Sequence, residues 1–251
     1  YPVCAALAEA NCRFYTLRFP DFSIDGDELE RCFTERTRIL FINTPHNPTG
    51  KVFSRDELEM ISELCKKHNL IVVTDEVYEH LTYDNASHVP IASLPGMREK
   101  TLTISGAGKT FSITGWRIGW ITGPAELINS VQIAHQYITF APATPLQEAL
   151  ASIISNIDES YFVNLKNEYA KRRNLLLRAL QDTGFRPAVP AGTYYILADF
   201  TEIRQGDDVD FVHHLINRCG IAAIPPSVFY SRDQDEGKRL VRFAFEYRLS
   251  F

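Results

Sequence analysis

Lys109 lies in a glycine-rich stretch, "SGAGKTFSITGWRIGW", which spans residues 105–120. A lysine in such a turn can carry out either of two kinds of chemistry. Its ammonium can bind a nucleotide phosphate as a point charge, or its amine can act as a nucleophile. The two uses need different partner residues, so the rest of the chain decides between them.

The phosphate-loop hypothesis fails because a glycine is missing. That motif needs a glycine five residues before its Gly-Lys pair, so that backbone N–H groups can wrap around the phosphate. Thr103 stands at that position. The acid that would accompany the loop, Asp75, also precedes the loop instead of following it. We therefore favour an amine nucleophile.

The partners of an amine nucleophile are present at the ends of predicted strands. A lysine that forms a Schiff base with pyridoxal phosphate needs an acid at the pyridine nitrogen, donors at the phenolic oxygen and a cation at the phosphate. Asp75 closes the apolar run "LIVVTD" and suits the nitrogen. Asn47 and Tyr78 can donate to the phenolic oxygen, and the forked guanidinium of Arg117 suits the phosphate. Ser105 and the glycine turn after it can add further donors.

Several stretches resemble one known family. "GAGKTFSITGWRIG" resembles the pyridoxal-phosphate attachment signature of class I aminotransferases, and "NTPHNPTG" and "TDEVY" resemble the ring-binding turn and acid strand of the same fold-type I family. "GKVFSRDELE", "IASLPGM" and "VRFAF" are most similar to the subgroup of kynurenine aminotransferase, glutamine transaminase K and cysteine-conjugate β-lyase. The resemblance runs through nearly the whole chain.

The resemblance implies a role for each matched residue. Lys109 would be the Schiff-base lysine, which also moves a proton at the substrate, and Asp75 would face the pyridine nitrogen. Asn47 and Tyr78 would meet the phenolic oxygen, and Arg117 would bind the phosphate. Lys109, Asp75 and Tyr78 are therefore the expected catalytic residues.

Three further positions follow from the resemblance with different strength. Arg242, in "VRFAF", would bind the substrate α-carboxylate, because a planar fork suits a carboxylate, and Asn47 is also expected to contact the substrate. The family usually carries its phosphate serine three residues before the lysine, where this chain has Gly106, so Ser105 is the weaker match. Phe140 is expected either to reach the active site of a partner subunit or to lie in the core.

The expected activity is transamination with pyridoxal 5′-phosphate as cofactor. The amino donor would be an aromatic, glutamine, methionine or kynurenine-like L-amino acid, the acceptor a 2-oxo acid, and the enzyme a homodimer. One alternative is a carbon–sulfur β-lyase, because the same residues serve both reactions. The other is an inactive fragment, because the N-terminal region of the resembled family does not precede Tyr1 in this sequence.

Composition argues against other classes of partner. The net charge is −5 and the longest basic run is Lys171–Arg173, which disfavours nucleic acids and membrane surfaces. The five cysteines are scattered and are expected to be free thiols. His213 and His214 lack acidic or cysteine partners at metal spacing, so no metal is expected. A cytoplasmic location is expected, with a mitochondrial one left open because the sequence does not begin with methionine.

The helices and strands that must position these residues are predicted to form an α/β fold. We predict a mostly parallel sheet flanked by helices over residues 1–156, an incomplete pyridoxal-phosphate transferase large domain, and a smaller α+β C-terminal domain over 157–251. A capping box at Ser54 and Glu57 starts one helix. The other predicted helices span 124–138, 145–155, 161–181 and about 208–218. The predicted strands span 38–43, 70–75, 101–105, 116–122, 193–200, 221–226 and 239–247.

Overall fold

A computed structural model describes residues 1–231 and 235–246, and its first sheet has four strands. In spatial order these are β1 (Ile39–Asn43), β2 (Ile71–Asp75), β3 (Thr101–Gly106) and β4 (Gly119–Thr122). The first three are parallel and β4 runs antiparallel to β3. Because β1 and β2 are parallel, their carboxyl ends meet, and Asn43 lies opposite Asp75. The predicted α/β fold with a mostly parallel sheet is confirmed.

Eight α-helices accompany the two sheets in the described residues. One of these helices begins after Ser54, whose hydroxyl accepts from the backbone N–H of Glu57 at 3.1 Å. The Glu57 carboxylate accepts from the Ser54 N–H at 2.9 Å, which completes the predicted capping box. The helices are α1 (Pro2–Leu7), α2 (Gly26–Arg31), α3 (Arg55–Lys67), α4 (Ala107–Thr110), α5 (Ala125–Ile138), α6 (Thr144–Asn156), α7 (Glu159–Asp182) and α8 (Asp208–His214).

One hydrophobic core joins α3 to the first sheet. The apolar face of α3 is buried, with Leu58 and Cys65 fully enclosed, and it meets Val72 of β2. Side chains from the loop before β3 close the same core. Its buried members are Leu29, Ile42, Phe53, Leu58, Ile61, Cys65, Leu70, Val72, Ile91, Leu94 and Met97.

The second sheet is antiparallel, in the order β5 (Arg186–Pro187), β6 (Tyr195–Asp199) and β7 (Leu240–Ala244). Every residue of β6 is buried. Leu197 belongs to a cluster with Phe22, whereas Ile196 and Ala198 share a separate hydrophobic core with residues of α7 and α8. Tyr78 and Leu81, from the turn that follows β2, belong to the same hydrophobic core. The second sheet is therefore packed against the end of the first sheet that carries Asp75.

Some predicted boundaries are wrong for identifiable reasons. Residues 221–226 do not form a strand, because only Ile224 pairs with β7 and the two prolines after it lead into a short 3₁₀ turn, Pro226–Phe229. The strand predicted at 116 begins at Gly119, because Arg117 has a left-handed backbone conformation with φ of 57°. The two-residue β5 carried no sequence signal. The domain boundary near residue 157 stays a prediction.

The remaining expectations about thiols and membranes can be compared with the described residues. All five cysteines lie among them and are free, and only Cys65 is buried. Within residues 1–231 and 235–246, no helix has both the length and the apolarity that a membrane span requires.

Candidate active site

Asp75 is held at the carboxyl end of β2 by its neighbours. The side-chain amide of Asn43 donates to the Asp75 carbonyl at 2.8 Å, and the N–H of Val77 donates to Oδ1 of its carboxylate at 3.2 Å. Oδ2 accepts from the hydroxyl of Tyr1 at 2.5 Å, and the Tyr1 ring packs 3.8 Å from that of Phe41. Both carboxylate oxygens are therefore fixed. Tyr1 carried no sequence signal, because 74 residues separate it from Asp75.

Asn47 and Arg242 meet although they are 195 residues apart. The backbone N–H of Asn47 donates to the side-chain oxygen of Asn43 at 2.8 Å, so the turn after β1 is tied to the strand end. Nη1 of Arg242 donates to Oδ1 of Asn47 at 2.8 Å. The guanidinium lies 4.1 Å from the ring centre of Tyr195 and 4.8 Å from that of Phe229. This aromatic enclosure orients the planar fork.

The amine of Lys109 lies among tyrosines. Its Nζ donates to the hydroxyl of Tyr194 at 2.8 Å and is 5.7 Å from the ring centre of Tyr78. Tyr78 is 3% exposed and its hydroxyl donates to that of Tyr195 at 3.3 Å. Burial, with the nearby Tyr195 hydroxyl, raises the pKa of Tyr78 far above its ordinary range. Tyr78 is therefore a neutral hydrogen-bond donor near neutral pH.

A continuous run of contacts joins these groups. It passes from the Asp75 backbone through Asn43, Asn47, Arg242 and the tyrosines to Lys109. None of the ion pairs among the described residues involves Lys109 or Arg242. Two cations without a carboxylate partner in the described chain make this a site suited to anionic ligands.

Three predicted site residues lie apart from this run of contacts. The hydroxyl of Ser105 donates to Glu79 at 2.5 Å. Arg117 is exposed and donates to the carbonyl of Thr114 at 3.3 Å. Phe140 is 79% exposed, so it does not lie in the core of this chain. The structure therefore brings together Asp75, Asn47, Tyr78, Lys109 and Arg242 but not these three.

A group of possible metal ligands lies directly after Asp75 in the chain. Ligand atoms of Glu76, Glu79 and His88 are all within 4.8 Å of one another. In the buried Glu76 carboxylate, Oε1 accepts from the Thr74 hydroxyl at 3.1 Å, and Oε2 lies 2.7 Å from Nε2 of His88. Glu79 accepts from Ser105. Hydrogen bonds from Thr74, Ser105 and His88 thus account for these carboxylates without a metal ion.

Residues 1–245 match the family of class I and class II aminotransferases. The chain belongs to this family. Membership implies dependence on pyridoxal phosphate, in agreement with the resemblance of the motifs around Lys109.

Known aminotransferases are similar along most of this chain. A kynurenine–oxoglutarate transaminase of Dictyostelium discoideum is 40% identical over 244 residues, covering 89% of this chain and 56% of the relative. A probable N-succinyldiaminopimelate aminotransferase of Mycobacterium tuberculosis is 43% identical over 231 residues, covering 89% and 58%. The chain thus spans a little over half the length of these curated relatives.

Solved structures give the same result for the fold. N-succinyldiaminopimelate aminotransferase from Mycobacterium tuberculosis superposes with a TM-score of 0.91 at 43% identity, over 96% of this chain and 63% of that one. YbdL from Escherichia coli, for which a methionine aminotransferase function was identified, superposes with a TM-score of 0.92 at 32% identity, over 98% and 63%.

Proposed function

We propose that this chain forms part of a pyridoxal-phosphate-dependent aminotransferase that moves an amino group between an L-amino acid and a 2-oxo acid. The observation that carries the proposal is the run of contacts from the Asp75 backbone to Lys109. It gathers an amine, an amide, a phenol and a guanidinium from segments far apart in the sequence, and its other end is the residue that carries the Asp75 carboxylate. Family membership and the aminotransferase relatives support the same reaction class.

The donor set fits the ring end of the cofactor. Lys109 would attach to it, Asp75 would face the ring nitrogen, and Asn47 with Tyr78 would donate to the phenolic oxygen. Arg117 is proposed for the phosphate. When bound, pyridoxal phosphate supplies an electron sink that stabilises negative charge at the substrate α-carbon. Lys109 and Arg242, which have no ion-pair partner among the described residues, fit an anionic cofactor and an anionic substrate.

The site residues Arg242, Lys109 and Tyr78 would each have a role during turnover. Arg242 would bind the substrate α-carboxylate with its free donors, while Asn47 and the Tyr195 ring keep its fork in place. Lys109 Nζ would accept the proton that leaves the α-carbon and return it later, acting as base and then as acid. Tyr78 would remain neutral and donate throughout.

The substrate class follows from the surroundings of Arg242. A carboxylate bound at this guanidinium would place the rest of the amino acid near Tyr195 and Phe229, which are aromatic. Among the predicted aromatic, glutamine, methionine and kynurenine-like donors, this favours the aromatic, methionine and kynurenine-like ones. Two similar proteins, a kynurenine transaminase and a methionine aminotransferase, act on such donors.

Trapping the amine tests the proposal directly. We would mix the chain with pyridoxal phosphate, record the visible spectrum, reduce with borohydride and map the labelled peptide by mass. Label concentrated on Lys109, and lost in a Lys109→Ala variant, is the expected result. Label spread over surface lysines in both proteins would contradict assembly of the site in this chain and favour the incomplete-fragment alternative.

Product analysis separates the two reactions that this site could serve. An aminotransferase converts the donor to its 2-oxo acid and aminates the acceptor in equal amount. A carbon–sulfur β-lyase given an S-conjugate instead releases a thiol, without consuming an acceptor. Thiol release with no aminated acceptor would refute transamination as the main activity.

The homodimer is also part of this proposal. Phe140, with φ of 66°, follows α5, a helix with no buried residue in this chain. Ile133, Tyr137, Ile138 and Phe140 are each more than 60% exposed, so this apolar surface is suited to a partner subunit. We expect a dimer by light scattering for the enzyme that contains this chain, and a shift toward monomer in a Phe140→Asp variant. A dimer unaffected by that change would refute a role for Phe140.

A further inference from the structure

The hydrogen-bond partner of the Lys109 amine is a phenol. Nζ lies 2.8 Å from the Tyr194 hydroxyl and 5.4 Å from the centre of its ring. A carboxylate in this place would stabilise the ammonium alone. A phenol can accept from an ammonium and donate to the lone pair of a neutral amine, so one geometry serves both protonation states.

Neighbouring rings hold Tyr194 in position. It is 3% exposed, stacks on Tyr169 with 22° between the planes and meets Tyr78 edge-on at 82°. Burial, with Tyr78 close by, raises the pKa of Tyr194 far above its ordinary range. The hydroxyl therefore keeps its proton near neutral pH, and the ring has no room to turn away from Lys109.

Backbone contacts of the segment before β6 fix the position of Tyr194 relative to Lys109. The Thr193 N–H donates to the Leu81 carbonyl at 2.9 Å, and the Tyr83 N–H donates to the Ala191 carbonyl at 2.8 Å. Thr193 has a left-handed φ of 62°. A Cβ on Gly192 would lie 2.8 Å from a side-chain carbon of Pro45, so only glycine fits this close approach.

We propose that Tyr194 is a positioning residue that holds the free amine of Lys109 while it alternates between base and acid. The proposal rests on the proposed function, since that reaction requires both forms of the amine. It adds a residue that local sequence patterns did not indicate, 85 positions from Lys109. Loss of the hydroxyl should leave cofactor binding intact and impair the proton step.

Reactivity of the amine tests this without cofactor or turnover. Tyr194→Phe keeps the stacked ring and removes only the hydroxyl. We expect Lys109 in this variant to be reductively methylated by formaldehyde about three- to tenfold faster near neutral pH, because the ammonium loses a charge-assisted hydrogen bond. Exposed Lys171 is the internal reference, and Tyr169→Phe is the matched control. Equal labelling ratios in wild type and Tyr194→Phe would overturn the proposal.

Kinetics of the cofactor-loaded enzyme that contains this chain give a second, independent readout. We expect Tyr194→Phe to lower kcat about tenfold, with KM changed less than about twofold and a larger isotope effect from α-deuterated substrate. An unchanged isotope effect would refute a role in the proton step. If wild-type Lys109 cannot be trapped by borohydride at all, the proposed function fails instead, while the labelling experiment still decides the role of Tyr194.

Discussion

A buried arginine on α7 should be a major source of stability. Arg173 is 3% exposed and donates to both oxygens of Asp84, at 2.8 and 3.0 Å, and to the carbonyl of Pro190 at 3.1 Å. Its guanidinium lies 4.9 Å from the ring centre of Tyr83. One side chain thus joins α7 to the turn after β2 and to the segment before β6. We predict that Arg173→Met destabilises the fold substantially.

The magnitude follows from which partners stay buried. The Asp84 side chain is 63% exposed, so its part of the ion pair is weak and water can replace it. The carbonyl of buried Pro190 would lose a partner, at a cost of about 1–3 kcal/mol, and the guanidinium also loses its packing against Tyr83. We expect Arg173→Met to cost about 3 kcal/mol and Asp84→Asn about 1 kcal/mol.

The loss of stability in Arg173→Met should be larger near neutral pH than at acidic pH. The hydrogen bond from Arg173 lowers the pKa of Asp84, assisted by the charge of the guanidinium and opposed by partial burial. A depressed carboxyl pKa stabilises the fold above the unfolded value near 4 and ceases to do so as the pH falls through the folded value. The difference between wild type and Arg173→Met should therefore be larger near neutral pH than at about pH 3.

Urea denaturation followed by fluorescence at the two pH values measures both quantities. The double variant with Asp84→Asn closes a thermodynamic cycle, and the coupling should be about 1 kcal/mol near neutral pH. Arg173→Met within about 0.5 kcal/mol of wild type would refute the reasoning. So would a larger loss in Asp84→Asn than in Arg173→Met, because the buried carbonyl would then not be the dominant contribution.

Three further predictions use the same urea assay. Ser54→Ala should cost about 1 kcal/mol by removing the cap of α3, and an equal loss in exposed Ser93→Ala would contradict this. Leu58→Ala should cost about 2–5 kcal/mol, because the side chain is fully buried and leaves a cavity. Burial and the charge of Lys51 lower the pKa of His46 to about 4, so lowering the pH from about 7 to 4 should remove roughly 2–3 kcal/mol. His46→Asn should abolish that part of the pH dependence.

Local signals in the sequence predict the parts of the site that lie at strand ends. Asp75 and Asn47 follow apolar runs, and parallel strands bring their carboxyl ends to one edge, so their proximity could be predicted. Lys109 sits in a recognisable motif. The Ser54 cap depends on residues three apart, and such contacts can be read directly from a sequence.

Contacts between distant segments could not be predicted in the same way. Tyr194 and Tyr1 reach Lys109 and Asp75 only after two sheets and a terminal helix have packed, and a tyrosine in an apolar run looks like a core residue. Ser105 shows the converse problem. Its hydroxyl pairs with Glu79, 26 residues away, although its place beside the glycine turn favoured the phosphate.

The hydrogen bonds of Arg173 and the position of Tyr194 depend on one interface. Pro190 accepts from Arg173, and Ala191 and Thr193 bond to the turn that carries Leu81 and Tyr83. Loosening this segment through Arg173→Met should therefore move the Tyr194 hydroxyl away from Lys109 even though Arg173 contacts neither. Faster methylation of Lys109 in Arg173→Met, under conditions where the protein stays folded, would show that the packing of the two sheets sets the geometry of the amine. Unchanged methylation in that variant would mean that the stack of Tyr194 on Tyr169 by itself keeps the Tyr194 hydroxyl next to Lys109.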